Sequence, residues 1–199
     1  MLLEESKKQA LYASIYEDAT WLANLVENLL SITRMENGTM SLRLQPELVQ
    51  DVFAEALTHL DRRADRHHIS VELENELLMA EMDARLIVQV VINLVNNAIK
   101  YTQEGSHIIL SAKPFAGKVL IKVSDDGPGI AEETKAHLFQ MFHTGGNKHG
   151  DGRRGLGLGL ALCKSIISAH GGVITAEDNV PHGTCISFTL KPMEVDTGE

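Results

Sequence analysis

Cysteine is nearly absent from this chain of 199 residues: there are two, Cys163 and Cys185. Neither sits at a metal-ligand spacing, which excludes a cysteine-built zinc site, and buried free thiols are a simpler expectation than a disulfide. Positive charge is also short. Lys and Arg total 18 against 27 Asp and Glu, for a net charge of -9. A nucleic-acid binder needs basic patches to neutralise phosphates, so no nucleic-acid partner is expected. Long apolar runs are lacking too. The longest, residues 86–95, is broken by Gln89 and Asn93 and is too short to span a bilayer, so no membrane contact is expected of this chain. The first residues lack the basic, apolar and small-residue pattern of an export signal, and no internal repeat is visible.

What is present suffices for one ordinary domain with an appendage, since 44% of the residues are hydrophobic. Residues 3–36 read as one long helix, with Ile15, Leu22, Leu25, Val26, Leu29 and Ile32 at three- and four-residue spacings. Asn37-Gly38 ends it. Its length favours a coiled-coil or bundle arm over a core helix of the same domain. The remainder reads as α/β, a two-layer sandwich of helices on a mixed sheet. Strands are expected at 40–44, 69–73, 78–81, 107–113, 118–124, 173–177 and 185–190, with a hairpin turn at Ala116-Gly117. Helices are expected at 49–64, at 84–101 behind a capping Asp83, shortly after Ile130, and at 156–170. Residues 143–154 read as a Gly- and charge-rich loop, and those after Pro192 as a tail.

Three segments break the rules of their own elements. The helix at 84–101 carries Asn93, Asn96 and Asn97, although Asn is a poor helix former. At about 100° per residue, Gln89, Asn93, Asn96, Asn97 and Lys100 share one stripe, opposite Ile87, Val91, Leu94, Val95 and Ala98. A merely solvated face would use Glu, Lys and Arg at less cost in propensity, so the stripe is read as facing a ligand. Asp125-Asp126-Gly127-Pro128-Gly129-Ile130 directly follows a strand; it is either a plain turn or a carboxylate set to accept from a ligand amine. Gly155-Leu156-Gly157-Leu158-Gly159-Leu160 opens a helix, a natural place for phosphate. No Gly-Lys-Ser/Thr follows, so it is not a P-loop, and the strand a dinucleotide fold requires is missing before it. Lys148, Arg153 and Arg154 lie just upstream and are expected to meet phosphates.

The order of these segments resembles the Bergerat ATP-binding fold of histidine kinases, gyrase-type ATPases and Hsp90-type chaperones. Asn93-Leu-Val-Asn-Asn97-Ala-Ile-Lys100-Tyr101 looks like the histidine-kinase N box, and Asp125-Asp-Gly127-Pro-Gly129 like the first glycine box. Leu138-Phe139-Gln-Met-Phe142 resembles the F box, Gly155-Leu-Gly157-Leu-Gly159 the second glycine box, and His182-Gly183-Thr184 the closing strand. Residues 25–30 and 34–38 resemble the second helix of the dimerisation and phosphoacceptor hairpin. The domain limits implied are 1–38 for that helix, 39–192 for the catalytic domain and 193–199 for a tail. None of the nine histidines has the acceptor's His-Glu/Asp-x-x-x-Pro setting, so the hairpin's first helix is expected to lie outside this chain. Thr144-Gly145-Gly146-Asn147-Lys148 with Arg153-Arg154-Gly155 resembles the potassium-responsive Kdp-type sensors.

The resemblance implies a protein-histidine kinase using ATP and Mg²⁺. It implies that Asn97 ligates the metal, Lys100 pairs with phosphate, Tyr101 packs beside the nucleoside, Asp125 accepts from the adenine amine and Thr184 supports that contact. Gly127, Gly129, Gly155, Gly157 and Gly159 would let the backbone approach the nucleotide, residues 143–154 would form a lid over it, and Phe139 and Phe142 would anchor the lid's start. Gyrase-type and chaperone-type ATPases place a water-activating Glu where this chain has Asn93, so the site reads as built for transfer to histidine and not for hydrolysis. An ATP-hydrolysing conformational machine and a nucleotide scaffold without catalysis are the competing readings. The partners implied are the phosphoacceptor hairpin, a response regulator and a second copy in the parent kinase. The place implied is the cytoplasm, as a domain of a membrane-anchored sensor.

Overall fold

The computed structural model describes residues 5–38, 41–60, 62–143 and 157–193. Its frame is one mixed seven-stranded sheet: β1 (Gln45–Leu48), β2 (His68–Leu73), β3 (Met79–Met82), β4 (His107–Phe115), β5 (Lys118–Asp125), β6 (Ile174–Asp178) and β7 (Thr184–Pro192). The strands run β1-β3-β7-β5-β4-β2, with β6 paired to β7. β2 lies parallel to β4, and every other pairing is antiparallel.

Alternation along the central strands decides which face is buried. Ile108, Leu110 and Ala112 of β4, Val119, Ile121 and Val123 of β5, and Ile186, Phe188 and Leu190 of β7 all point inward. Onto them pack α2 (Val49–Thr58), α3 (Ala84–Tyr101) and α5 (Gly159–Ala169), while the helix expected after Ile130 is the single turn α4 (Glu132–Lys135). Each helix has an apolar face of matching width. α2 offers Val52, Phe53 and Ala56, α3 Ile87, Val91, Leu94, Val95 and Ala98, and α5 Leu162, Cys163, Ile166 and Ile167. The two-layer α/β expectation holds, and both thiols are free and buried.

Several boundaries differ from expectation. Of the strand expected at 40–44, residues 41–44 are not strand; the first strand is Gln45–Leu48, where β3 is available to pair, and the Arg43 N–H instead donates to Asp83 Oδ2 at 3.1 Å. Asp83 precedes α3, but its side chain makes no capping hydrogen bond to it. The helix expected at 49–64 stops at Thr58, and a 3-10 turn, Arg62–Arg66, follows. α5 begins at Gly159, later than 156. The hairpin at Ala116-Gly117 forms as expected, both residues having positive φ.

The long α1 (Glu5–Glu36) partly answers to both readings of the first helix. Its early turns leave Leu11, Ile15, Leu22 and Val26 half exposed, as an arm would. Its last turns belong to the core: Ile32 is 1% exposed, and Leu25 and Met35 pack against the same core.

Candidate nucleotide site

α3 sets the site's axis. Gln89, Asn93, Asn96 and Asn97 are half-buried along one face, and Lys100 and Tyr101 are exposed at its C-terminal end. This face is not simply solvated. Gln89 Nε2 donates to Asn28 of α1 at 3.5 Å, so α1 covers the stripe's first turn. Asn93 is turned under α5. Its amide lies 3.9 Å from where a Cβ on Gly159 would sit, it contacts the Cys163 thiol, and its Nδ2 is buried with no hydrogen-bond partner. Burial pushes that thiol up to about 12, which keeps it protonated. Asn97 lies one turn beyond Asn93 and Lys100 nearly two turns beyond. The Lys100 ammonium rests 5.0 Å from the centre of the Tyr101 ring.

At the C-terminal end of α3 stands the turn after β5. A Cβ on Gly127 would meet Thr102 Cγ2 at 2.8 Å and Asp125 Oδ1 at 2.9 Å, so this turn is pressed against the helix end. The stripe therefore runs from the start of α5 to the Asp125 turn.

Asp125 is held closely. Its Oδ1 accepts the Gly127 N–H at 2.9 Å and the Thr184 N–H at 3.1 Å. Both lone pairs of that oxygen are used, and among the described residues Oδ2 has no partner. Burial raises the carboxyl above its ordinary pKa; the two N–H bonds oppose this, and the Asp126 charge adds to it. Asp126 behaves oppositely. Burial works against its carboxylate, but the His107 backbone N–H at 3.0 Å, the His107 ring at 3.2 Å and Ser106 outweigh that and lower its pKa. Two adjacent carboxylates thus divide the work: Asp126 ties the turn to β4, and Asp125 keeps one oxygen open.

The hairpin between β6 and β7 wraps Asp125 from the far side. Gly183, at φ +114°, packs so tightly that a Cβ there would come within 1.9 Å of the Asp125 carbonyl oxygen; only glycine fits. Thr184 is buried and meets Asp125 through its backbone. Gly129 lies against the same hairpin, where its Cβ would stand 3.4 Å from the Gly183 carbonyl. Gly157, at φ +67°, abuts the backbone of His143, so the chain on either side of residues 144–156 is brought to one point.

The structure therefore gathers Asn93, Asn97, Lys100, Tyr101, Asp125, Gly127, Gly129, Gly159 and Thr184 along α3 and at its two flanks, with Gly157 just before α5. Lys148, Arg153, Arg154 and Gly155 lie outside the described residues, as does most of the expected lid. The two phenylalanines separate: Phe139 packs on the core, while Phe142 is 61% exposed at φ 63°.

Residues 82–194 match the family of histidine kinase-, DNA gyrase B- and HSP90-like ATPases. The chain belongs to that family. The family is one of ATPases, so ATP is the nucleotide this domain binds. The chain is 40% identical over 189 residues to the sensor protein KdpD of Clostridium acetobutylicum, covering 95% of this chain and 21% of that protein. It thus spans about a fifth of that curated relative. Among solved structures, the Acinetobacter baumannii histidine kinase AdeS superposes with a TM-score of 0.77 at 26% identity, over 96% of this chain and 87% of that one. The histidine kinase ThkA, solved with the response regulator TrrA, superposes with a TM-score of 0.75 at 28% identity, over 96% of this chain and 53% of that one.

Sequence reasoning missed two braces of the Asp125 turn. Asn179 donates from Nδ2 to the Asp125 carbonyl at 2.8 Å, and the His107–Asp126 pair secures the other side of the turn. The only local signal was an Asn ahead of a Pro- and Gly-containing turn. His170 is buried, donating from Nδ1 to the Ile166 carbonyl and accepting the Asp83 N–H at Nε2.

Proposed function

We propose that this chain is the ATP-binding catalytic domain of a two-component sensor histidine kinase, transferring the γ-phosphoryl group of ATP to a histidine on a phosphoacceptor hairpin. The observation that carries this reading is Asp125, whose Oδ1 is saturated by two backbone N–H groups while Oδ2 is left to accept from the adenine amine. Tyr101 offers the nucleoside an exposed ring, and Lys100 beside it a point charge for phosphate. Asn97, half-buried on the same stripe, supplies a neutral amide oxygen, a donor suited to Mg²⁺. When bound, Mg²⁺ neutralises charge on the phosphates.

The stripe holds amides and an ammonium but no carboxylate. Asn93 cannot deprotonate water, whereas a neutral imidazole needs no base to attack. Its unprotonated nitrogen forms the new bond to γ-phosphorus as the bond to the bridging oxygen breaks and ADP leaves, and the phosphoimidazolium so formed sheds its remaining ring proton to solvent. Further partners are a response regulator that takes the group onto an aspartate and a second copy of the parent kinase. The likeness to KdpD supports the narrower reading of a Kdp-type sensor.

The test is to mix the chain with labelled ATP, Mg²⁺ and an isolated hairpin bearing the acceptor histidine. Acid-labile, base-stable label is expected on the hairpin and none on this chain. Rapid release of free phosphate with no labelled hairpin would overturn the reading.

A further inference from the structure

We infer that Asn179 is a positioning residue for base recognition, aiming the Asp125 carboxylate through the main chain. This rests on the reading of Asp125 as the adenine acceptor. The β5–β7 ladder ends at Ser124↔Cys185, so β7 offers the next carbonyl of β5 no ladder partner. The Asn179 side chain stands in: Nδ2 donates to the Asp125 carbonyl at 2.8 Å. The amide's orientation follows from chemistry, because its Oδ1 accepts the Val180 N–H at 3.1 Å and both partners are backbone groups with fixed roles. Asn179 is itself fixed by its own N–H, which donates to the Gly183 carbonyl at 3.0 Å. A second tie steadies the hairpin: Lys135 Nζ bonds Asp178 at 2.7 Å and Glu132 at 2.6 Å. One short hairpin thus grips Asp125 at its carbonyl through Asn179 and at Oδ1 through Thr184. The carboxylate hangs from the same Cα through Cβ, so holding the carbonyl and Oδ1 together restricts the two side-chain torsions that aim Oδ2.

A residue that merely fills a turn makes a different prediction from one that donates a specific bond. Asn179→Asp keeps the shape, the acceptor for Val180 and good turn chemistry, but it sets a carboxylate oxygen against the Asp125 carbonyl. Asn179→Ala removes the donor without repulsion. The experiment measures Mg-ATP and Mg-GTP affinity of the whole chain and both variants, with melting temperatures alongside. Comparing the two nucleotides cancels the added negative charge, which acts equally on both triphosphates. Asn179→Ala is expected to weaken ATP by about twofold to tenfold, the worth of one net hydrogen bond. GTP should change little, and Asn179→Asp should lose more ATP preference than Asn179→Ala. ATP preference in Asn179→Asp equal to the unmodified chain, with Asp125→Ala impaired, would overturn this inference alone. Equal ATP affinity in Asp125→Ala and the unmodified chain would remove the adenine assignment and this inference with it.

Discussion

Asp125→Asn should weaken ATP binding while leaving the fold at least as stable, two effects that a general structural defect would not separate. The amide oxygen can accept the same N–H groups that Oδ1 takes from Gly127 at 2.9 Å and Thr184 at 3.1 Å. Its NH₂ then occupies the place of Oδ2, and a donor faces the adenine amine. A hydrogen bond to a charged group contributes about 1.5–3 kcal/mol, so affinity should fall on the order of tenfold to a hundredfold, with donor–donor repulsion adding to the loss. The same edge now suits a base with a carbonyl at that position, so the preference for ATP over GTP should shrink or reverse. Stability moves the other way. Burial raises the Asp125 pKa above 3.8 despite its two N–H bonds. A raised native pKa means that the protonated form favours folding. That contribution is complete below the unfolded carboxylate range and is lost as pH rises through the raised value. At neutral pH the native chain therefore carries a partly buried charge, and the amide variant does not. Its melting temperature should match or exceed the parent's near pH 7, with the difference closing in acid. Calorimetry with both nucleotides, and melting curves across pH, measure these effects. Undiminished ATP affinity would refute the acceptor role; a lower melting temperature at neutral pH that does not close in acid would refute the charge argument.

Ile32→Ala should cost about 2–4 kcal/mol of stability by denaturant unfolding, because this residue of α1 is fully buried against the catalytic core; a loss under about 0.5 kcal/mol would mean that the arm is separable. Cys163, its thiol pushed up to about 12 by burial, should resist alkylation at pH 8 and react only as the chain unfolds, as followed by mass spectrometry; fast labelling in the native state would contradict its placement. The chain alone should hydrolyse ATP slowly in a phosphate-release assay, since Asn93 offers no base, and rapid hydrolysis abolished by Asn93→Ala would reverse that assignment.

The parts of this fold legible in the sequence were those with strong local periodicity. α3 was readable to the residue because its 3.6-residue pattern is long, and β4 and β5 because they alternate around Ala116-Gly117. β1 was not, since Gln45-Pro46-Glu47-Leu48 has no alternation and becomes a strand only by pairing with β3. The site shows the same division. Asn93, Asn97, Asp125 and the glycines stood out as violations of local preference. Asn179 and His107 did not, because what they brace lies 54 and 19 residues away, and no local pattern records such a pair. The dual character of α1 was likewise invisible: one amphipathic stripe serves the core at Ile32 and stays half exposed at Leu22.

The abutment of Gly157 on the His143 backbone has a consequence for engineering. It makes residues 144–156 a cassette with a fixed socket: both insertion points meet at one place on the scaffold, whatever chain runs between them. Closing a longer loop onto a socket already formed costs only about 0.6 kcal/mol per doubling of length. Segments of other lengths and charge from related ATPases should therefore be exchangeable here without moving α3 or the Asp125 turn. Gly157 itself cannot be traded, because any side chain there would strike the backbone of His143.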